Sequence, residues 1–287
     1  MTQRPLPMPP DQEGERQRSI PRTSIRLFDV SFTRGSAADI LAAARAHPAT
    51  GPRLVVTANM DHVITLSENP AFRKAYDGAA ARTLDGMPLL WLAWLRGERG
   101  ARRVTGHDLL ATALCEPWSA ARRVYFICAT EEIAEALTAR VVAGGFPASA
   151  VATTVPPIGF EQDEVYGRAL AAQVRAHETT LLVLGVGAPR SEIWVDRLGP
   201  ALGAPIVLAV GDAVNVAAGL APRAPVLMQR IGFEWLFRFA HAPRRLFHRY
   251  FVRSWKFLWL VAKQSPRGTR RVTRDVHPTI ERVQQKS

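Results

Sequence analysis

The pair Asp85-Gly86 is the first candidate for chemistry in this sequence, because it directly follows a short apolar run. Asp-Gly is a common turn pair, so one interpretation is a simple loop. The other interpretation is a carboxylate at the end of a β-strand, placed to accept a proton from a substrate hydroxyl group. The residues alone leave both interpretations open.

The segment Gly185-Val-Gly187-Ala-Pro-Arg190 follows another apolar run and could form a loop whose backbone N–H groups face a phosphate. The same glycines also suit a tight strand-to-helix turn, so the pair is weak evidence alone. Arg190 stands where a dinucleotide-binding motif has its third glycine, although Asp212 follows a later strand, near the expected place of a ribose-binding acid. An NAD-dependent oxidoreductase is therefore only a minor alternative.

Arg103 lies in a loop that we expect to be exposed. A guanidinium group suits a diphosphate because its planar fork donates two parallel hydrogen bonds, and the alternative is a solvated surface arginine. The chain has no Asp-x-Asp pair and no His spacing typical of a metal site. We therefore predict neither a metal nor another cofactor, and expect arginines and backbone N–H groups to stabilise a leaving anion.

Apolar strand-like runs alternate with helical patterns along most of the chain. This alternation predicts an α/β fold, with a Rossmann-like, mostly parallel sheet flanked by helices. The predicted strands are 25–30, 54–57, 82–84, 123–128, 151–155, 180–184 and 206–210. The predicted helices are 37–46, 61–80, 88–95, 131–143, 163–177, 191–198 and one that is capped by Asp108 and runs through Leu114.

Parallel α/β sheets bind ligands at the carboxyl ends of their strands, where loops and helix N-termini gather. Polar or glycine residues follow the predicted strands at this end: Thr57, Asn59, Asp85, Gly187 and Gly211. We expect these residues to converge.

The formal net charge of +12 predicts an anionic partner. Basic residues concentrate toward the C-terminus, where residues 233–261 combine large aromatic side chains with Arg and Lys, and Pro243 should divide the segment into at least two helices. This pattern is typical of helices that lie on an anionic bilayer. A core helix with a solvated basic face and a surface for single-stranded nucleic acid are the alternatives. We favour the membrane, because so many aromatic side chains are difficult to bury in a terminal segment.

We divide the chain into a disordered tail (1–23), a Rossmann-like domain (24–230), a basic aromatic helical appendage (231–264) and a basic tail (265–287). No apolar stretch approaches the length of a membrane span, and residues 1–23 lack the apolar region of a secretory signal. We predict Cys115 and Cys128 to be buried, reduced thiols. These features favour a cytoplasmic protein associated peripherally with the inner face of the cell membrane.

Seven motifs in this order resemble the WecG/TagA/CpsF glycosyltransferase family, over about residues 25–251. They are Thr57-Ala-Asn59, Leu84-Asp85-Gly86-Met87-Pro88, Arg103-Val-Thr-Gly106-His-Asp108-Leu109, Gly185-Val-Gly187-Ala-Pro189, Gly219-Leu-Ala-Pro-Arg223-Ala-Pro225, Glu234-Trp235-Leu236-Phe237-Arg238 and Pro243-Arg-Arg245. Any one motif is weak evidence, whereas seven in register are very improbable by chance.

The resemblance implies transfer of a sugar, with inversion, from a UDP-sugar to an undecaprenyl-diphosphate-linked saccharide in bacterial surface polysaccharide or teichoic acid synthesis. It makes Asp85 the general base, places Thr57 and Asn59 beside it, and places Arg103 near the diphosphate. Arg238 and Arg245 would belong to an appendage that closes over the site and touches the membrane. The predicted substrate-binding set also includes Asp108, Gly187, Ser191, Glu192, Gly211 and Asn215.

Three positions depart from the family pattern. Ser191 stands where Gln is frequent, Asn215 where Asp is frequent, and His248, beside Arg249, where another basic residue is frequent. The first two leave the donor sugar open, and they make a catalytically inactive relative that binds membrane or nucleic acid an alternative. We favour the enzyme and predict no nucleic-acid partner. A homo-oligomer is compatible with the sequence.

Overall fold

A computed structural model of the 287-residue chain describes residues 24–116, 119–241, 243–247 and 251–264. The two predicted tails, 1–23 and 265–287, and the departure at His248 lie outside the described residues.

The centre of the fold is a six-stranded sheet in which every neighbouring pair is parallel. The strands of the chain are β1 (Ser24–Leu27), β2 (Val30–Thr33), β3 (Arg53–Ala58), β4 (Ala81–Leu84), β5 (Val124–Ile127), β6 (Val151–Thr154), β7 (Leu181–Leu184) and β8 (Ile206–Ala209). The order across the sheet is β4-β3-β8-β7-β5-β6, and β1 and β2 form a separate antiparallel hairpin. The predicted Rossmann-like α/β fold is confirmed.

Helices connect the strands and continue beyond the last one. They are α1 (Ala37–Ala46), α2 (Met60–Glu68), α3 (Pro70–Asp77), α4 (Met87–Leu95), α5 (Gly106–Cys115), α6 (Glu131–Ala143), α7 (Glu164–Ala176), α8 (Arg190–Leu198), α9 (Ala213–Ala218), α10 (Val226–Ile231), α11 (Glu234–His241), α12 (Pro243–Phe247) and α13 (Ser254–Lys263). Two short 3-10 segments, Ala148–Ala150 and Gly199–Leu202, precede β6 and β8.

Both faces of the sheet are buried, which explains why its strands are nearly continuous apolar runs. On one face, the hairpin, α2, α3, α4, α7, α8 and α13 pack into a single core. On the other face, α1, α5, α6 and α9 form a second core. In β3, Val56 points into the first core and Val55 into the second, as the alternation of side chains along a strand requires.

Three local predictions are wrong at their boundaries. Segment 25–30 is not one strand, because Phe28 and Asp29 adopt positive φ angles (52° and 56°) and turn the chain into the β1–β2 hairpin. Segment 61–80 is not one helix, because Asn69 ends α2 and caps α3, whose first residue is a proline. Helix α5 is capped by Thr105, and Asp108 completes a capping box from the third helical position.

Among the described residues after 231, α11, α12 and α13 are helical, and α12 begins at Pro243. The predicted break before Pro243 falls on residue 242, which lies outside the described residues. The last helix does not stand apart from the domain. Phe257 of α13 is buried, and its ring lies 5.7 Å from the ring of Phe28. Arg253, just before α13, forms ion pairs with Asp61 at 2.9 Å and Glu68 at 3.1 Å on α2. The inner side of α13 therefore packs on the core of the domain, as the alternative of a core helix predicts.

The two cysteines are free thiols with different environments. Cys128 is buried as predicted, and burial raises its pKa to about 12. The prediction for Cys115 is wrong, since it is exposed at the end of α5.

Gly185 allows the end of β7 to lie against α9, so we expect Gly185→Ala to destabilise the fold. An added Cβ would lie 2.4 Å from Cγ2 of Val214, a buried residue of α9. We expect the free energy of unfolding to fall by about 1–3 kcal/mol, measured by chemical denaturation. Gly51→Ala is the control, because no atom lies within 4 Å of the added carbon. Equal stability of the two variants would contradict this account of Gly185.

Candidate active site

The carboxyl ends of four neighbouring strands meet at one edge of the sheet. Ala58 of β3 is level with Leu84 of β4, and Leu184 of β7 is level with Ala209 of β8. The residues that follow these positions therefore emerge side by side, and the predicted convergence is confirmed.

A crevice is expected at this edge where neighbouring strands send the chain to opposite faces. The chain leaves β8 toward the face that carries α9, whereas it leaves the flanking strands β3 and β7 toward the face that carries α2 and α8. The loops after β7 and β8 lie close together, and both have a glycine at the point of contact. A Cβ on Gly211 would lie 3.8 Å from Cα of Gly187. Both glycines have positive φ angles (53° and 82°).

Asp85 begins the turn that follows β4 and lies at the same edge, half-buried. Its backbone N–H and that of Gly86 both donate to the carbonyl of Ala58, at 2.8 and 3.2 Å. A Cβ on Gly86 would lie 3.2 Å from Cα of Asn59, so the glycine permits close contact between the turns after β3 and β4. The two interpretations of Asp-Gly are thus compatible, because the turn itself places a carboxylate at the strand end.

Asn59 and Thr57 lie beside this turn and have structural contacts of their own. The Oδ1 atom of Asn59 accepts the N–H groups of Asp61 and His62, at 3.0 and 3.1 Å, and so caps α2. The Thr57 hydroxyl is buried and donates to the Ala209 carbonyl at 3.5 Å, so it joins the ends of β3 and β8.

A buried group of polar side chains lies under this edge, against α2, α3 and α8. Glu192 is 1% exposed, and within the described part of the chain its Oε2 atom has no hydrogen-bond partner. Burial raises the pKa of Glu192 to about 7, although a hydrogen bond from its own backbone N–H opposes this. The hydroxyl of Tyr76 lies 2.6 Å from Nδ1 of His62. Burial raises the pKa of Tyr76 well above its ordinary value, and the nearby carboxyl groups of Glu192 and Asp85 raise it further.

Ser191 and Asn215, the two departures from the family pattern, stabilise loops at the edge. The buried Ser191 hydroxyl donates to the carbonyl of Gly187 at 3.3 Å and so fastens the loop after β7 to α8. The backbone carbonyl of Asn215, which is half-buried on α9, accepts the N–H groups of Leu220 and Ala221 at 3.1 and 3.3 Å.

Arg103 is not in an exposed loop, so that prediction is wrong. Only 16% of its side chain is exposed, and Nη1 donates to Oε2 of Glu234 at 2.8 Å. The exposure was misjudged because the partner belongs to α11, 131 residues further along the chain. This ion pair joins the loop before α5 to the start of the appendage.

Asp108 makes a second connection of this kind. Its carboxylate accepts the N–H of Thr105 at 3.1 Å and Nη2 of Arg223 at 2.8 Å. Burial alone would raise the pKa of Asp108, but the hydrogen bonds from Thr105 and Arg223 outweigh it, and the pKa lies below its ordinary value. The N-terminus of α5 lies at the same edge of the sheet, because a Cβ on Gly106 would lie 3.0 Å from Cβ of Val210, which directly follows β8.

The predicted appendage arginines are placed only as far as their helices, because the side chains of Arg238 in α11 and Arg245 in α12 lie outside what the structure describes. Among the described residues, no group of three or more His, Cys, Asp or Glu side chains is arranged to hold a metal ion. Within the same residues, no helix is long and apolar enough to cross a bilayer.

The parallel sheet, with helices on both faces and glycine loops at its carboxyl edge, defines an α/β protein with a Rossmann-like fold, and comparison with known families specifies the class. Residues 25–271 match the Glycosyl transferase WecG/TagA/CpsF family, and the chain belongs to that family.

Among individual proteins, the chain is similar to three from Staphylococcus aureus, strains NCTC 8325 / PS 47, COL and MRSA252. Each is named N-acetylglucosaminyldiphosphoundecaprenol N-acetyl-beta-D-mannosaminyltransferase. The identity to each is 23% over 197 residues, which cover 67% of this chain and 74% of the relative.

The buried Glu192 carboxyl should make stability depend on pH. Its pKa is about 7 in the folded chain and 4.5 ordinarily, so between these values the folded chain holds a proton that the unfolded chain releases. The free energy of unfolding therefore falls as the pH rises through this window. Glu192→Gln removes this loss, and we expect the variant to gain on the order of 3 kcal/mol relative to the wild type across the window.

Chemical denaturation at a series of pH values measures this difference. Glu135→Gln, an exposed position on α6, is the control and should follow the wild type at every pH. If Glu192→Gln also follows the wild type, the carboxyl group is not held neutral by burial.

Proposed function

We propose that this glycosyltransferase moves a sugar, with inversion, from a UDP-sugar to an undecaprenyl-diphosphate-linked saccharide in the synthesis of bacterial surface polysaccharide. Membership of the family supports sugar transfer. The names of the Staphylococcus relatives support an acceptor of the type N-acetylglucosaminyldiphosphoundecaprenol and a donor of the N-acetylmannosamine type. The structural observation that carries the proposal is the position of Asp85 at the sheet edge that also holds the loops of Gly187 and Gly211.

Asp85 is the proposed general base. Its carboxylate accepts the proton of the acceptor hydroxyl while the hydroxyl oxygen attacks the anomeric carbon of the donor sugar. The new C–O bond forms on the face opposite the leaving group, so the bond to UDP breaks with inversion. Asn59 lies against the same turn, and its amide nitrogen is suited to hold a sugar hydroxyl or carbonyl oxygen.

Positive groups are available for the departing diphosphate. The backbone N–H groups after Gly187 and Gly211 and the N-terminus of α5 lie at the crevice, and helix N-termini favour anions. Arg103 is the proposed side-chain donor, joined by Arg238 and Arg245 of the appendage. We propose that these groups act without a metal ion, so the rate of transfer should not fall when a chelator is added.

The base is tested by Asp85→Asn. We expect turnover to fall by about 10²–10⁴-fold with an unchanged thermal unfolding temperature, because the amide cannot accept the proton. The measurement is transfer from a panel of UDP-sugars to a short-chain lipid-diphosphate acceptor, followed by chromatography. Asp29→Asn is the control, since Asp29 is exposed in the turn of the β1–β2 hairpin, which is separate from the six-stranded sheet. Turnover of Asp85→Asn at the wild-type rate would remove the residue from this role.

The diphosphate contact is tested by Arg103→Lys, which keeps the charge but removes the planar fork. We expect weaker binding of UDP, by about tenfold. Glu234→Gln keeps Arg103 and removes the carboxylate that a phosphate would have to displace, so it should bind UDP at least as tightly as the wild type does. Calorimetric titration with UDP measures both. The arginine has no part in donor binding if Arg103→Lys binds UDP as tightly as the wild type does.

The proposed location is the cytoplasmic face of the cell membrane, with peripheral attachment. The appendage supports it, because Trp235, Leu236, Trp255 and Trp259 are between 38% and 72% exposed. Deleting all residues after about 233 would also remove the buried Phe257 and damage the core. Substitution of the exposed aromatic side chains is therefore the cleaner test of attachment.

A further inference from the structure

Helix α4 has an apolar outer face as well as an apolar inner face. Every residue from Met87 to Leu95 is apolar. Leu89, Leu90, Leu92 and Ala93 are buried in the core. Within the described part of the chain, Trp91, Trp94 and Leu95 are exposed by 45%, 43% and 85%. A surface helix of a globular protein normally carries polar residues on its outer side, so a face of this kind marks an interaction surface.

The loop after α4 supplies the charge that selects a partner. Arg96, Arg99 and Arg102 are all exposed. The single acidic residue between positions 86 and 103 is Glu98, which forms an ion pair with Arg34. Exposed tryptophans bordered by arginines suit the interface of an anionic bilayer, where the rings enter the headgroup region and the guanidinium groups meet lipid phosphates.

The outer face of α4 is also continuous with the start of the appendage. A Cβ on Gly232, between α10 and α11, would lie 3.1 Å from Met87 and 3.3 Å from Trp91. The neighbouring Phe233 and Leu236 are 44% and 40% exposed. The apolar surface therefore extends from the catalytic domain onto the appendage.

We propose that the outer face of α4, with the arginines that follow it, is a second membrane-binding surface, which rests on an anionic bilayer independently of α13. We call this the α4 surface, and it consists of six exposed residues: Trp91, Trp94, Leu95, Arg96, Arg99 and Arg102.

This surface would set the distance between the bilayer and the base, a consequence that rests on the proposed function. Helix α4 begins two residues after Asp85 and contains nine residues, so its far end lies about 14 Å from its start. A lipid-diphosphate acceptor that stays in the bilayer at that end could extend its saccharide along the helix to Asp85. The polyprenyl chain would then never have to leave the membrane.

Vesicle co-sedimentation of the full chain, without donor or acceptor, tests the surface. The vesicles are phosphatidylglycerol with phosphatidylethanolamine, and pure phosphatidylcholine serves as the neutral comparison. One variant, Trp91→Gln with Leu95→Gln, removes apolar contact and keeps Trp94, whose indole N–H donates to the Ala101 carbonyl at 3.2 Å. The other variant carries Arg96→Gln, Arg99→Gln and Arg102→Gln.

We expect each variant to bind the anionic vesicles at least about tenfold more weakly than the wild type. The matched controls are Val165→Gln and Arg175→Gln on α7, both exposed and remote from α4, and these should bind normally. Unchanged thermal unfolding in all variants shows that the folds are comparable. Binding of either α4 variant within twofold of the wild type overturns the proposal.

The test separates this inference from the proposed function, because vesicle binding needs no reaction. Loss of vesicle binding in the α4 variants, together with no transfer by the wild type, would support the surface and overturn the proposed reaction. Normal vesicle binding in those variants, together with transfer by the wild type, would overturn the surface and support the reaction. If both hold, the α4 variants should lose transfer to a membrane-embedded acceptor while keeping transfer to a short-chain, water-soluble one.

Discussion

The parallel register of the central strands is the constraint on which the site depends. Each strand needs a helical crossover before its parallel neighbour can begin, so the carboxyl ends collect at one edge and the helices cover both faces. That arrangement brings Asp85, Asn59 and the glycines at 187 and 211 together, although they are spread over more than 150 positions of the chain. The central strands β7 and β8 are wholly apolar, and the candidate functional groups lie at the ends of the strands or immediately after them.

Side chains at this edge serve the fold as well as the proposed reaction. Asn59 caps a helix, Ser191 fastens a glycine loop, and Asp108 closes a capping box while it holds Arg223. A substitution at any of these positions would alter the local backbone together with any ligand contact. The turn that carries Asp85 is held by the backbone N–H groups of Asp85 and Gly86, and these hydrogen bonds would remain if the carboxylate were replaced.

Much of the fold could be predicted from the sequence, because strands buried on both faces are apolar runs bounded by turn residues. The shared edge follows from the parallel arrangement that this pattern predicts, whereas the order of the strands across the sheet was not predicted. Short strands with an unusual turn were missed, since Phe28-Asp29 lacks the glycine or asparagine typical of such hairpins. Glu192 was in the predicted substrate-binding set, but its buried neighbours Tyr76 and His62 were missed, because they come from separate helices and look like ordinary helical residues.

The ion pair between Arg103 and Glu234 has an effect on how an anion could enter the site. The guanidinium group is already compensated by a carboxylate, so a phosphate that arrives there replaces one negative partner with another instead of neutralising a lone cation. The displaced carboxylate belongs to the first residue of α11, so the exchange would remove the ion pair that holds this helix to the loop before α5. Binding of an anion at Arg103 would thus change the contacts at the start of the appendage, without any contact between the appendage and the membrane.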